Sequence, residues 1–276
     1  MDRDTSAFRY IDSGQRSAAE NMAVDEALFQ CFDSEQETPT LRLYGWHRPC
    51  ISLGYFQRAA DAVRRDVCVE KGVDVVRRMT GGRAVLHDQE VTYCVVGSVR
   101  KGAFTGRLLE CYEMIAECLV TGCERLGLQR DQIEVAAGKD ARSAASSPAC
   151  FMTSAPRELL LNGRKLIGSA QKRGEDVFLQ HGSIPVRLDL ALTASVMCID
   201  EDDGTSPSER CLQPVSLERA LGRSLTYDEV KSAISQGFSE RLGLSIEPSE
   251  LSEQESEVAF SLAQGKYCSD TWNFRR

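Results

Sequence analysis

A cysteine and a lysine in the middle of this chain have the residue types that nucleophilic catalysis can use. Cys150 closes the small, polar run "ARSAASSPAC", and Lys165 follows in "LLLNGRKLIGSAQ". An ammonium about 4 Å from the sulfur would favour the thiolate by up to roughly 4 kcal/mol at an effective dielectric of 20. Position alone leaves both residues open to a bland reading. The chain has 11 cysteines, and a buried thiol behaves as a small hydrophobe. Lys165 reads equally well as a solvated charge after a turn. Cys150 is set apart by its loop setting, because loops on rigid scaffolds are where nucleophiles tend to sit. Cys31, Cys94, Cys111, Cys118 and Cys123 fall inside regular helices or strands.

A second candidate is "RRMTGGRAVLHD". Gly81 and Gly82 lie between strands, where they serve either a plain tight turn or the close approach of backbone to a ligand. The stretch lacks the G-K-[ST] ending of a phosphate-binding loop. Arg77 and Arg78 either contact an anionic carrier group or are solvated at a strand end. His87, followed by Asp88, is either an oriented imidazole or a structural one. The chain has only 3 histidines and no C-x-x-C pair, which argues against a metal site.

Elements must hold these residues in place. "SAAENMAVDEALFQCF" has helical spacing, with Ala23, Ala27 and Cys31 on one face beside Val24 and Leu28. "TLRLYGW", "CISLGYFQ" and "VDVVRR" read as short strands, and "AVLHDQEVTYCVVGS" as one long strand. "TGRLLECYEMIAECLVTGCERLGL" is the clearest helix, with Leu108, Tyr112, Ile115, Leu119, Cys123 and Leu126 in a stripe. "ELLLNGRKLIG" predicts a hairpin turning at Asn162-Gly163, and "DVFLQHGSIPV" a further strand. Capping boxes at Thr226/Glu229 and Ser252/Glu255 open two late helices. The expectation is an α+β fold: a mixed β-sheet flanked by helices, with a helical C-terminal tail packed on it. The domain is placed at residues 33–248 and the tail at 249–276, with residues 1–32 packing on the same domain.

The formal net charge is -8 and the pI about 5.1. An acidic surface argues against nucleic acid as the main partner. The charged start, "MDRDTSAFRYIDSG", carries no apolar signal region, and no apolar run is long enough to span a membrane. These features predict a cytoplasmic protein with reduced thiols and no membrane partner.

The motifs "LYGWHRPCISLGYFQ", "RRMTGGRAVLHDQEVTY", "GRKLIGSAQKR", "LQHGSI" and "KYCSDTWNFRR" together resemble the LipM-type octanoyltransferases of the biotin/lipoyl protein ligase superfamily. The resemblance implies transfer of an octanoyl group from acyl carrier protein to a lysine of a lipoyl-domain protein, with the glycine-cleavage H protein as usual first acceptor. It places the acyl-thioester on Cys150 and a companion lysine at Lys165. It implies no ATP and no metal, and a monomeric enzyme. Gly81, Gly82 and Gly168 are then expected to border the acyl chain, with the segment Thr80 to Val85 and Ile167 lining its tunnel and Arg77 and His87 binding substrate. Arg83 stands where ATP-using lipoate ligases resemble "TGGGA", which favours the transferase. Three rivals remain: an ATP-dependent lipoate ligase, a domain-to-domain octanoyl amidotransferase, and a non-catalytic lipoyl-domain binder.

Overall fold

A computed structural model describes residues 7–33, 38–136, 158–198 and 214–275. In chain order the elements are β1 (Ala7–Arg16), α1 (Ala18–Gln30), β2 (Thr40–Trp46), β3 (Cys50–Leu53), α2 (Ala59–Ala62), α3 (Arg65–Lys71) and β4 (Asp74–Arg77). Then come β5 (Val85–His87), β6 (Glu90–Ser98), α4 (Leu108–Leu126), β7 (Ile133–Val135), β8 (Leu159–Leu161), β9 (Arg164–Arg173) and β10 (Val177–Pro185). The remainder is α5 (Leu190–Val196), α6 (Leu217–Leu221), α7 (Tyr227–Leu242), β11 (Ser245–Pro248), α8 (Glu253–Leu262) and α9 (Asp270–Asn273).

Eight strands form one mixed sheet in the order β11-β1-β2-β6-β10-β9-β8-β7. Strand β1 is parallel to both of its neighbours, and the rest of the sheet is antiparallel. A second sheet, β4-β3-β5, has three strands. The stretch read as one strand over residues 84–98 is therefore two. It breaks at Asp88–Gln89, so that β5 joins the small sheet and β6 the large one. A run of β-branched residues cannot reveal such a change of sheet, because both halves are buried. Strands β1, β7 and β11 went unread for the opposite reason: their residues alternate poorly between apolar and polar.

Successive residues of a central strand feed opposite faces. Leu41, Leu43, Tyr93, Val95 and Phe178 face α4 and α7 in one core. Tyr44, Cys94, Val96 and Leu179 face α1, α8 and Tyr267 in another. On α4, Ile115, Leu119, Cys123 and Leu126 of the expected stripe are buried, whereas Leu108 is 45% exposed because it opens the helix. Helices α4 and α7 cross at glycines: a Cβ on Gly237 would stand 2.4 Å from the Gly122 backbone nitrogen. Both late capping boxes form as expected, at Thr226/Glu229 and Ser252/Glu255. The third core joins the small sheet to α3 and α5 through Ile51, Leu53, Cys68, Leu86 and Val196.

The Asn162-Gly163 hairpin also forms. Both residues have positive φ, 49° and 74°, the geometry of the tight turn that matches strand twist. It joins β8 to β9, with a bulge where Leu159 pairs Ile167 and Leu160 pairs Lys165. The bulge turns Lys165 under Gly168. Among the described residues no helix is long and apolar enough to cross a membrane.

Candidate active site

Lys165 is buried on β9, and its Nζ donates to Glu158 Oε1 at 2.5 Å. Glu158 is itself buried at the start of β8. The pair is net neutral, as two charges removed from water must be if they are not to cost several kcal/mol each. A Cβ on Gly168 would lie 2.9 Å from Lys165 Cε and 3.2 Å from its Nζ. Gly168 is thus the wall beside the lysine head. Two residues on, on the same face of β9, Ala170 Cβ lies 4.0 Å from where a Gly82 side chain would begin. The structure therefore gathers Lys165, Gly168 and Gly82 along one side of β9. Gly82 has φ +92°, a conformation that strains any residue with a Cβ. A Cβ on Gly81 meets nothing within 4 Å. From the α4 side Tyr112 packs against β9 at Gln171. Burial pushes its phenol pKa up, and Tyr93 and Glu158 push it the same way.

Cys150 lies outside the described residues. Nine other cysteines are described, and none forms a disulfide. Cys50, Cys94, Cys118 and Cys123 are buried, and burial pushes the Cys123 thiol up to about 12 and the others upward too. Such thiols stay protonated and inert at neutral pH.

The turn at residues 80–83 is fixed by a buried polar chain absent from the sequence reading. Asp25 on α1 accepts from Arg42 Nη1 at 2.6 Å and Tyr44 Oη at 2.9 Å, and pairs His181 Nδ1 at 2.8 Å. His181 Nε2 meets Thr80 Oγ1 at 2.7 Å. Arg78 then donates to Thr80 Oγ1, to Ser52 O and Oγ, and to the carbonyls of Gly81 and Arg83. Those contacts use all five guanidinium donors, so Arg78 holds the turn from within and is not solvated. Ser52 Oγ meets His87 Nε2 at 2.7 Å, and His87 Nδ1 meets Glu90 Oε1 at 2.8 Å. The imidazole of His87 is therefore oriented by Glu90 and not by Asp88, and it stacks on Trp46 at 4.3 Å.

Ser52–His87–Glu90 and Thr80–His181–Asp25 each copy the connectivity of a hydroxyl–imidazole–carboxylate triad. Neither hydroxyl is poised to attack. Both are about 1% exposed, and each accepts from Arg78. The Asp25 carboxylate can only accept, so the proton of the neutral His181 ring sits on Nδ1 and Thr80 Oγ1 donates to Nε2. One signal for this network was present in sequence: Asp25 and Arg42 sit among apolar neighbours, where unpaired charge is costly.

The titrations follow from burial. Burial lowers the His181 pKa below its ordinary value, and the nearby Arg78 charge adds to this, against an opposing pull from Asp25. Burial alone would raise the Asp25 carboxyl, but Arg42 and the hydrogen bonds more than offset it, and the result is depressed. When unfolded, His181 takes a proton as pH falls through about 6.5, whereas the folded protein resists it. This stabilisation is complete above that pH and is lost as pH drops below it; Asp25 and Glu90 add further loss only below about pH 4. Melting temperature is expected to fall steadily from pH 7 to pH 5 in a calorimetric series. A flat profile would show that His181 is not neutral in the fold.

Arg77 stands apart from this site. It is fully buried, and its guanidinium donates to the carbonyls of Gly54, Gln57, Trp272, Asn273 and Arg275. The expectation that it contacts substrate or solvent is corrected: its donors are spent on backbone. Ile167 is likewise turned into the α4 core, because it lies on the face opposite Gly168. A groove of about 360 Å³ lined by Asp12, Tyr44, Tyr227, Asp228 and Lys231 contains none of the candidate residues. Among the described residues no His, Cys, Asp or Glu cluster could hold a metal ion.

Residues 17–239 match the lipoyl protein ligase A/B catalytic domain, and the chain belongs to that family. Curated relatives align end to end. One from Kyrpidia tusciae named octanoyltransferase LipM is 42% identical over 275 residues, covering 98% of this chain and 99% of its own. The Bacillus subtilis protein of the same name is 36% identical, covering 100% of both chains. These names describe acyltransferases, and the protein is an enzyme of that class. Its fold is shared with a lipoate-protein ligase A crystallised with ATP, at a TM-score of 0.78 and 24% identity over 97% of this chain and 98% of the other. It is shared too with a bi-partite ligase from Thermoplasma acidophilum studied with its E2 lipoyl domain, at 0.79 and 23%, over 97% and 96%.

Proposed function

We propose that this enzyme transfers an octanoyl group from acyl carrier protein to a lysine of a lipoyl-domain protein in the cytoplasm, through a thioester on Cys150. The observation that carries the reading is the full-length match to chains named octanoyltransferase LipM. In the first step the Cys150 thiolate attacks the carrier thioester, the bond to the carrier sulfur breaks, and the carrier leaves as a thiolate that takes a proton from solvent. In the second step the neutral acceptor amine attacks the enzyme thioester, an amide forms as the amine gives up one proton to solvent, and Cys150 leaves as thiolate. Neither step requires ATP or a metal ion.

Lys165 acts as the companion group. Glu158, 2.5 Å from its Nζ, aims the ammonium and offsets part of its charge. The pull on a neighbouring thiolate is then well below the roughly 4 kcal/mol of an isolated pair. Its main work is moving a proton as the amine attacks. In this reading the acyl chain runs past Gly81, whose side-chain position is open, and along the backbone of Gly82 and Gly168, whose side-chain positions face Arg78 and Lys165; burial of the chain contributes at most about 5 kcal/mol at roughly 0.8 per CH₂. The acceptor proposed is the glycine-cleavage H protein, and the enzyme is proposed to work as a monomer.

The test is intact-protein mass after mixing enzyme with octanoyl-acyl carrier protein alone, beside Cys150→Ser. An octanoyl adduct that hydroxylamine removes, that the variant lacks and that H protein discharges is the expected result. Acceptor modification that depends on ATP and free octanoate would replace the reading with a ligase. An adduct discharged only by a second lipoyl domain would favour the amidotransferase.

A further inference from the structure

The carbonyls of Trp272, Asn273 and Arg275 end on Arg77, the arginine that also braces the turn at residues 54–57. Helix α9 is a single turn, and its last carbonyls have no partner within the helix. Arg77 supplies it: Nε donates to Trp272 O at 3.2 Å, and Nη2 to Asn273 O and Arg275 O at 3.0 Å each. The backbone of Arg77 is engaged as well. Its N–H donates to Asn273 Oδ1 at 2.9 Å, and its carbonyl accepts from Trp272 Nε1 at 2.9 Å.

The other side of the guanidinium faces the turn after β3. Nη1 donates to Gly54 O at 2.8 Å and Gln57 O at 2.7 Å. That turn bears directly on the candidate acyl wall. Tyr55 N–H donates to Thr80 O at 2.8 Å, and a Cβ on Gly54 would lie 1.9 Å from the Gly82 carbonyl oxygen. Outside, the Arg275 guanidinium stacks over both Tyr55, at 4.2 Å, and Trp272, at 3.8 Å. Three backbone segments that are far apart in sequence are thereby locked into one stack: tail, turn 54–57, turn 80–83.

We propose that the C-terminal tail, acting through Arg77, is a positioning element that sets the Gly82 wall and with it the acyl-chain length the enzyme accepts. The inference rests on the octanoyl-transfer reading for its substrate, but the mechanical link from tail to turn is independent of that reading. Arg77 and Trp272 are positioning residues and touch no reacting atom. An interior packed at crystal-like density has discrete arrangements, so freeing one layer of the stack lets the next take a different one.

The experiment compares wild type with a chain ending at Ser269 and with Asn273→Ala, which removes the two side-chain bonds to Arg77 N–H and Tyr267 O and leaves every carbonyl in place. Hydrogen–deuterium exchange of the free proteins comes first. Residues 54–57 and 80–83 should exchange faster in the shortened chain, while β6 and β10 keep wild-type protection. Covalent charging is then measured with octanoyl and decanoyl thioesters, per active site from the burst amplitude. The preference for octanoyl should fall by about tenfold in the shortened chain, the scale expected for a misplacement below 1 Å. It should fall less in Asn273→Ala, and a peptide of sequence DTWNFRR added in trans should restore it. A tail that serves only general stability would lower the burst amplitude and leave the octanoyl-to-decanoyl ratio unchanged; that result overturns the proposal. If the shortened chain fails to fold, an Asn273→Ala enzyme with wild-type exchange and ratio overturns it instead. Wild type that accepts no acyl thioester, yet shows the exchange difference, would overturn the octanoyl reading and leave the mechanical link standing.

Discussion

Removing one partner of the Lys165–Glu158 pair is expected to cost more stability than removing both. Both side chains are buried, and Nζ sits 2.5 Å from the carboxylate. Glu158→Ala breaks a buried ion pair from one side, which costs about 3–5 kcal/mol. The double variant Glu158→Leu with Lys165→Met replaces charge by apolar volume, and buried ion pairs exchanged in this way are about neutral. Chemical denaturation should therefore place the double variant near wild type and Glu158→Ala well below both. Activity should divide the other way. The double variant keeps its fold and loses the second half-reaction, so an octanoyl adduct on Cys150 accumulates and H protein fails to discharge it. A double variant that turns over at the wild-type rate would remove Lys165 from the mechanism. One that is as unstable as Glu158→Ala would mean that the pair is held by packing and not by charge.

Gly54→Ala is expected to lower the charging rate by about 100-fold, the penalty for moving a catalytic wall by around 1 Å. The Cβ would stand 1.9 Å from the Gly82 carbonyl oxygen and 2.8 Å from its carbonyl carbon. Both are main-chain atoms, so no side chain can swing aside. The turn at 80–83 cannot retreat either, because Arg78 grips its Gly81 and Arg83 carbonyls and His181 holds Thr80. Something in this stack must shift, and the displacement falls on the acyl side. Rapid-quench charging with octanoyl-acyl carrier protein measures the effect. A Gly54→Ala enzyme that charges as fast as wild type would show that turn 80–83 is looser than its hydrogen bonds imply.

Local signals in the sequence carried much of the fold. Asn162-Gly163 fixed a hairpin because its turn demands two positive φ angles, and few residue pairs accept them. Thr226/Glu229 and Ser252/Glu255 fixed two helix starts because each box satisfies its own backbone donors. What stayed hidden was non-local. Nothing near Arg77 reveals that its partners lie at residues 272 to 275, and a doubled arginine at a strand end reads as solvated charge. The break at Asp88–Gln89 was invisible because both halves of the run are apolar. The chain Asp25–His181–Thr80–Arg78–Ser52–His87 joins six residues from five segments of the sequence. Only tertiary packing could bring them together. Gly82, Gly168 and Lys165 were singled out by motif, and the structure brings them together on β9.

Strand β1 lies between β2 and β11, and its outer pairs join Ala7–Tyr10 to Ser245–Pro248. Ala7 and its partner Ser245 are 238 residues apart in the chain. Until β11 docks, β1 is an unpaired edge, the kind of edge that recruits other strands. Pairing the two makes a contact of very long sequence separation and so a slow one to make. A chain that lacks residues 245–248 is therefore expected to self-associate through β1, which light scattering would show.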